Sequence, residues 1–120
     1  MQDLKERTFA FAVATGKLIR ELPYNTVNKA YTGQLIRSSS SVGANYRAAR
    51  RAKSGADFIY KLKIVEEEAD ESVYFLELLM VFNPDFKEKI SLLAADGVSI
   101  LKIIVASIIT ARSGIIKTRE

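Results

Sequence analysis

Apolar residues recur along the chain with helical spacing in four successive stretches, and nowhere with the alternation of a strand. In the first, Leu4, Thr8, Phe11, Thr15, Leu18 and Leu22 are separated by steps of four and three, the seam of a bundle helix over residues 3–21. Pro23-Tyr24-Asn25 ends it, and Thr26 is positioned to cap a second helix over 26–52. That helix carries its small and apolar face through Val27, Tyr31, Leu35, Ser38, Val42 and Ala49. The pattern continues through four consecutive serines, so tertiary packing there is expected to override poor helix propensity. Ser54 is an N-cap for a third helix over 55–82, whose seam is Phe58, Leu62, Val65, Ala69, Ser72, Leu76 and Leu79. Asn83-Pro84 reads as a cap with proline at the first turn of a fourth helix over 84–112.

Three short connections make sequential helices antiparallel neighbours. The expected fold is therefore all-α, an antiparallel up-down-up-down four-helix bundle forming a single domain over residues 1–120. Two helices carry more apolar surface than such a bundle needs. The third has a second seam at Tyr60, Ile64, Glu67, Glu71, Tyr74 and Leu78, again in steps of four and three. In the fourth, Ile100, Leu101, Ile104, Val105, Ile108 and Ile109 spread over about half of the helical wheel. A membrane span over residues 92–111 would have to carry Asp96 and Lys102, each costing about 2.5–3.5 kcal/mol near the bilayer centre. The expectation is instead a packing surface for further copies of the chain, that is, a homo-oligomer.

Composition narrows the chemistry. With no cysteine and no histidine, the chain lacks thiolate ligands, the commonest general base and the commonest transition-metal ligand. The carboxylates of Glu66-Glu67-Glu68-Ala69-Asp70-Glu71 lack the histidines of a di-iron bundle, and Glu67, Asp70 and Glu71 fall off the core seam. No glycine-rich phosphate loop occurs, and nothing stands ready to activate Ser38–Ser41. Neither an enzyme nor a metal or other cofactor is expected. Asn45 and Gln34, at the edge of the core face, read as structural amides. The N-terminal residues include Asp3 and Glu6 and lack a signal-peptide pattern, so the cytoplasm is the default location.

Charge is unevenly distributed. Residues 28–63 hold eight cations against Asp57, whereas residues 66–90 hold eight acids against Lys87 and Lys89. On the second helix Arg37, Arg47, Arg50 and Arg51 lie opposite the core face, within an arc of about 140°, and Lys53 follows them. Such a ridge suits phosphate contacts with RNA or DNA, because guanidinium forks bind oxyanions bidentately. It equally suits an assembly or adaptor module in which these arginines pair with Glu67 and Glu71 of a neighbouring subunit.

The stretch Gln34-Leu35-Ile36-Arg37-Ser38, followed by Ser41-Val42-Gly43-Ala44-Asn45-Tyr46-Arg47, resembles the signature of the four-helix-bundle family named for the 23S rRNA intervening sequence. The resemblance runs on through Arg51-Ala52-Lys53-Ser54, Asp57-Phe58-Ile59, Glu68-Ala69-Asp70-Glu71 and Leu76-Glu77-Leu78-Leu79, to Thr110-Ala111-Arg112. It implies a bacterial protein that assembles as a homopentamer. Relatives of this kind are encoded within rRNA insertions or serve diversity-generating retroelements, where basic pentamers bind nucleic acid and a reverse transcriptase. The chain departs from the pattern where Ala48 replaces a frequent Glu, leaving the ridge more cationic, and where Ile109 replaces a basic residue. Tyr60 and Phe75 stand where His and Trp are expected.

Overall fold

The structure, a computed structural model, describes residues 3–119, and side-chain surroundings for residues 3–114. It contains four α-helices: α1 (Leu4–Glu21), α2 (Thr26–Arg50), α3 (Gly55–Phe82) and α4 (Lys87–Arg119), the last preceded by a 3-10 turn at Pro84–Phe86. No strand occurs among the described residues. The body is a rod of 55 × 22 × 21 Å.

Pairings between helices give their directions. Asn28 meets Asn83 and Ser38 meets Ser72, so α2 and α3 are antiparallel. Glu21 pairs with Lys89 and Arg7 with Asp96, so α1 and α4 are antiparallel. Gly43 lies against Thr8 and Gly16 against Ile36, which sets α1 antiparallel to α2. The up-down-up-down bundle follows from these three relations.

The core is built from the expected seams. Thr8, Phe11, Thr15, Leu18 and Leu22 are buried on α1, as are Leu62, Val65, Ala69, Ser72, Leu76 and Leu79 on α3. The threonine hydroxyls are satisfied within their own helix, Thr8 donating to the Leu4 carbonyl at 2.7 Å and Thr15 to that of Phe11 at 2.8 Å. Leu35, Ser38, Val42 and Ala49 are buried on α2 as expected, but Val27 is exposed and Asn28 takes the inward position beside it. The serine run allows close approach: buried Ser72 donates to Ser38 at 3.0 Å. Gly97 does the same on α4, since a Cβ there would lie 3.0 Å from Val73 and 3.3 Å from Phe11.

The segment Pro84–Gly114, which includes most of α4, is long and apolar enough to span a membrane by length and composition, its most apolar 18-residue window having a mean hydropathy of 2.1. Within the bundle its Ile90, Ile100, Ile104 and Ile108 fill the core, and Asp96 is held by Arg7 at 3.0 Å.

The helix ends differ from expectation in four places. Asn25, not Thr26, caps α2, because its side chain accepts from the Asn28 N–H at 2.9 Å. α2 stops at Arg50 rather than residue 52, and α4 continues past residue 112 to Arg119. Asn83 makes no side-chain cap; its amide turns inward instead. There Asn28 and Asn83 exchange reciprocal amide hydrogen bonds of 2.8 and 2.9 Å, and each also donates to a backbone carbonyl, of Pro23 and Leu79 respectively. This buried pair ties the α1–α2 turn to the end of α3. Truncating either partner leaves the other amide unsatisfied in the core, at about 1–3 kcal/mol. Asn28→Ala and Asn83→Ala are each expected to lower unfolding free energy by that amount in urea titrations. The double variant should lose clearly less than the sum, because the second truncation removes the group that the first one orphaned.

Candidate nucleic-acid interface

The basic residues from Arg37 to Lys53, on α2 and just after it, divide into two groups. Arg37, in mid-helix, reaches across to α3: its guanidinium pairs with Glu68 at 3.1 Å and with Glu71, while its Nε donates to Gln34 at 3.4 Å. The hydrogen bond that Arg37 donates to Glu71, with Glu68 beside it, raises the Arg37 pKa further. Although exposed, Arg37 is thus neutralised within its own chain, and Glu71 is already engaged there. The second group is Arg47, Arg50 and Arg51, with Lys53 in the turn that follows. All four are exposed, and none makes an ion pair among the described residues.

Register explains the division. Pairing Ser38 with Ser72 and Arg37 with Glu68 and Glu71 carries the last turns of α2 alongside the first turns of α3. That part of α3, Phe58–Val65, contains Lys61 and Lys63 and no acid. The carboxylate just before it, Asp57, is occupied: it accepts from Lys61 Nζ at 2.9 Å and from the Lys53 N–H at 3.3 Å. These two bonds, Lys61 first, hold its pKa below the ordinary 3.8. Ser54 completes the junction by accepting the Asp57 N–H at 3.1 Å. The α2–α3 connection is therefore fixed by capping, while the cations around it keep their charge.

α1 contributes what the sequence reading did not include. Lys5 lines the same surface recess as Arg47, Arg50 and Arg51, so four cations converge where α1 begins and α2 ends. Asp3 also lines it, with its carboxylate accepting the Glu6 N–H at 2.8 Å as the cap of α1. The exposed ring of Phe9 lies beneath the Arg47 guanidinium, 5.9 Å from carbon to ring centroid. An apolar residue off the α1 seam was the only sequence signal for Phe9. Lys5 had none, since its relation to α2 arises from the packing of two helices. Tyr46 is partly buried and packs against the core. Asn45 donates to the Ser41 carbonyl at 2.9 Å, and Gln34 serves Arg37, so both amides are structural.

The second seam of α3 lies on the surface. Tyr60 and Tyr74 are 65% and 57% exposed, Ile64 and Leu78 are half-buried, Glu67 is exposed, and Glu71 is held by Arg37. Tyr74 stacks edge-on to Phe75 at 5.4 Å, which leads through Tyr31 to Phe82 in one aromatic run. No group of three or more carboxylates converges as a metal site among the described residues.

A family model described as 23S rRNA-intervening sequence protein matches residues 2–106. Among solved structures, the chain is similar to a protein of unknown function from the S23 ribosomal protein family of Bacteroides thetaiotaomicron, with 34% identity and a TM-score of 0.79. The match covers 88% of this chain and 98% of that one. No curated protein matches significantly.

Proposed function

The chain belongs to the 23S rRNA-intervening sequence protein family, and we propose that it is a non-enzymatic, cytoplasmic, oligomeric bundle that binds RNA or DNA through the basic end of α2. The observation that carries this reading is the convergence of Arg47, Arg50, Arg51 and Lys5 on one recess, where they outnumber Asp3 and make no ion pair among the described residues. Lys53, beside them, extends the surface. Arginine forks on rigid helical turns suit phosphate oxygens, and they carry no sequence preference of their own. In a ring of subunits, one modest patch per chain would act together and raise avidity. Arg37 has no part in this surface, because Glu68 and Glu71 of its own chain hold it.

Binding to a structured RNA and to a duplex DNA across a salt series tests the reading. Log affinity should fall linearly with log salt, and Arg47→Ala/Arg51→Ala should make that slope shallower by about 2. Arg37→Ala should leave the slope unchanged. Absence of binding at about 50 mM salt, where phosphate contacts are strong, would refute the proposal.

The exposed Tyr60 and Tyr74, flanked by Ile64 and Leu78, favour an assembly role as well. A surface of this size and chemistry suits packing against another copy, and the family resemblance suggests five subunits. In an adaptor reading the protein partner, a reverse transcriptase by analogy, would meet the assembled ring. Light scattering should give a multiple of the chain mass at micromolar concentration. Tyr74→Glu should shift it to the monomer while far-ultraviolet circular dichroism stays helical. A wild-type monomer would contradict the assembly.

A further inference from the structure

Phe9 deepens the nucleic-acid reading, on which this inference rests, by pointing to the class of strand bound. Its ring is 60% exposed on a helix whose other phenylalanine, Phe11, is buried. Leaving such a side chain in water forgoes the stability that its burial would contribute. The Arg47 guanidinium lies 5.9 Å from the ring centroid. Beside it, Phe9, Ala12, Gly43 and Ala44 line an apolar cleft of about 270 Å³ between α1 and α2, with Lys5 and Arg47 among its walls. That volume lies just under the about 300–1,000 Å³ of pockets for drug-sized ligands, room for one planar ring rather than a large molecule.

An exposed aromatic ring, a cleft for a flat apolar group and cations on its walls together select an anionic chain bearing planar rings. We propose that Phe9 is a stacking seat for an unpaired nucleobase of single-stranded RNA or DNA, whose flanking phosphates are held by Lys5, Arg47 and Arg50. A duplex keeps its bases stacked internally and can offer this site only phosphates, whereas every base of a single strand has an open π-face. An acidic peptide would satisfy the cations but leave the ring and cleft without a matching group.

The test is fluorescence anisotropy on the full chain with three probes of equal length: an unstructured oligouridine, the same backbone without bases, and a duplex. Wild type should bind oligouridine about 5- to 150-fold more tightly than the abasic strand, the range expected for stacking one base. Phe9→Ala should abolish that ratio while salt-sensitive duplex binding persists, and Phe9→Tyr should retain the ratio. Because Phe9 is exposed, the melting temperature should hold in both variants. If Phe9→Ala preserves the ratio while salt-sensitive duplex binding persists, the stacking seat is wrong and the electrostatic reading survives. If none of the three probes binds, both fail. If Phe9→Ala instead changes the mass seen by light scattering, the ring belongs to a contact between copies and the proposal is overturned.

Discussion

The register between α2 and α3 governs the rest of this molecule. Three polar ties set it at intervals along the pair: the Asn28–Asn83 amides, the Ser38–Ser72 hydroxyls, and Arg37 between Glu68 and Glu71. A made hydrogen bond contributes only about 0.5–1.5 kcal/mol, but a buried one left unmade costs about 1–3 kcal/mol. The ties therefore act chiefly against alternatives, because sliding α2 along α3 by a turn would leave the two buried amides without each other. Small residues make the arrangement possible, since the serine run on α2 lets the two backbones approach closely.

That register also sorts the charges. The acid-rich middle of α3 falls beside Arg37 and neutralises it, whereas the lysine-bearing start of α3 falls beside the end of α2 and cannot neutralise Arg47, Arg50 or Arg51. The acid at the start of α3, Asp57, is committed to Lys61 and to the Lys53 backbone, and Asp3 of α1 caps its own helix. A strongly basic end thus results from where an antiparallel pair happens to align two unevenly charged helices. α1, laid antiparallel along α2, adds Lys5 and Phe9 to the same place.

The architecture was legible because burial here follows heptad-like spacing. The α1 and α3 seams, read as steps of four and three, are buried from Thr8 to Leu22 and from Leu62 to Leu79. The Ser54 cap was equally readable, being a local matter of one side chain and the next turn. What escaped depends on residues distant in sequence. Asn83 looked like a cap because Asn before Pro usually is one, and only the arrival of Asn28 explains why its amide turns inward. Arg37 looked equivalent to Arg47 on a single helical wheel, and only the position of Glu68 and Glu71 separates them. Lys5 and Phe9 could not be attached to the basic surface before α1 was placed against α2.

The most direct measurement of the central claim is a titration of the folded protein with an oligonucleotide, monitored through the arginine side-chain Nε–Hε resonances. The resonances of Arg47, Arg50 and Arg51 are expected to shift together and saturate, while that of Arg37, held between Glu68 and Glu71, stays in place. Movement of Arg37 equal to that of the other three, or no movement at Arg47, Arg50 and Arg51 while the oligonucleotide binds elsewhere, would contradict the account.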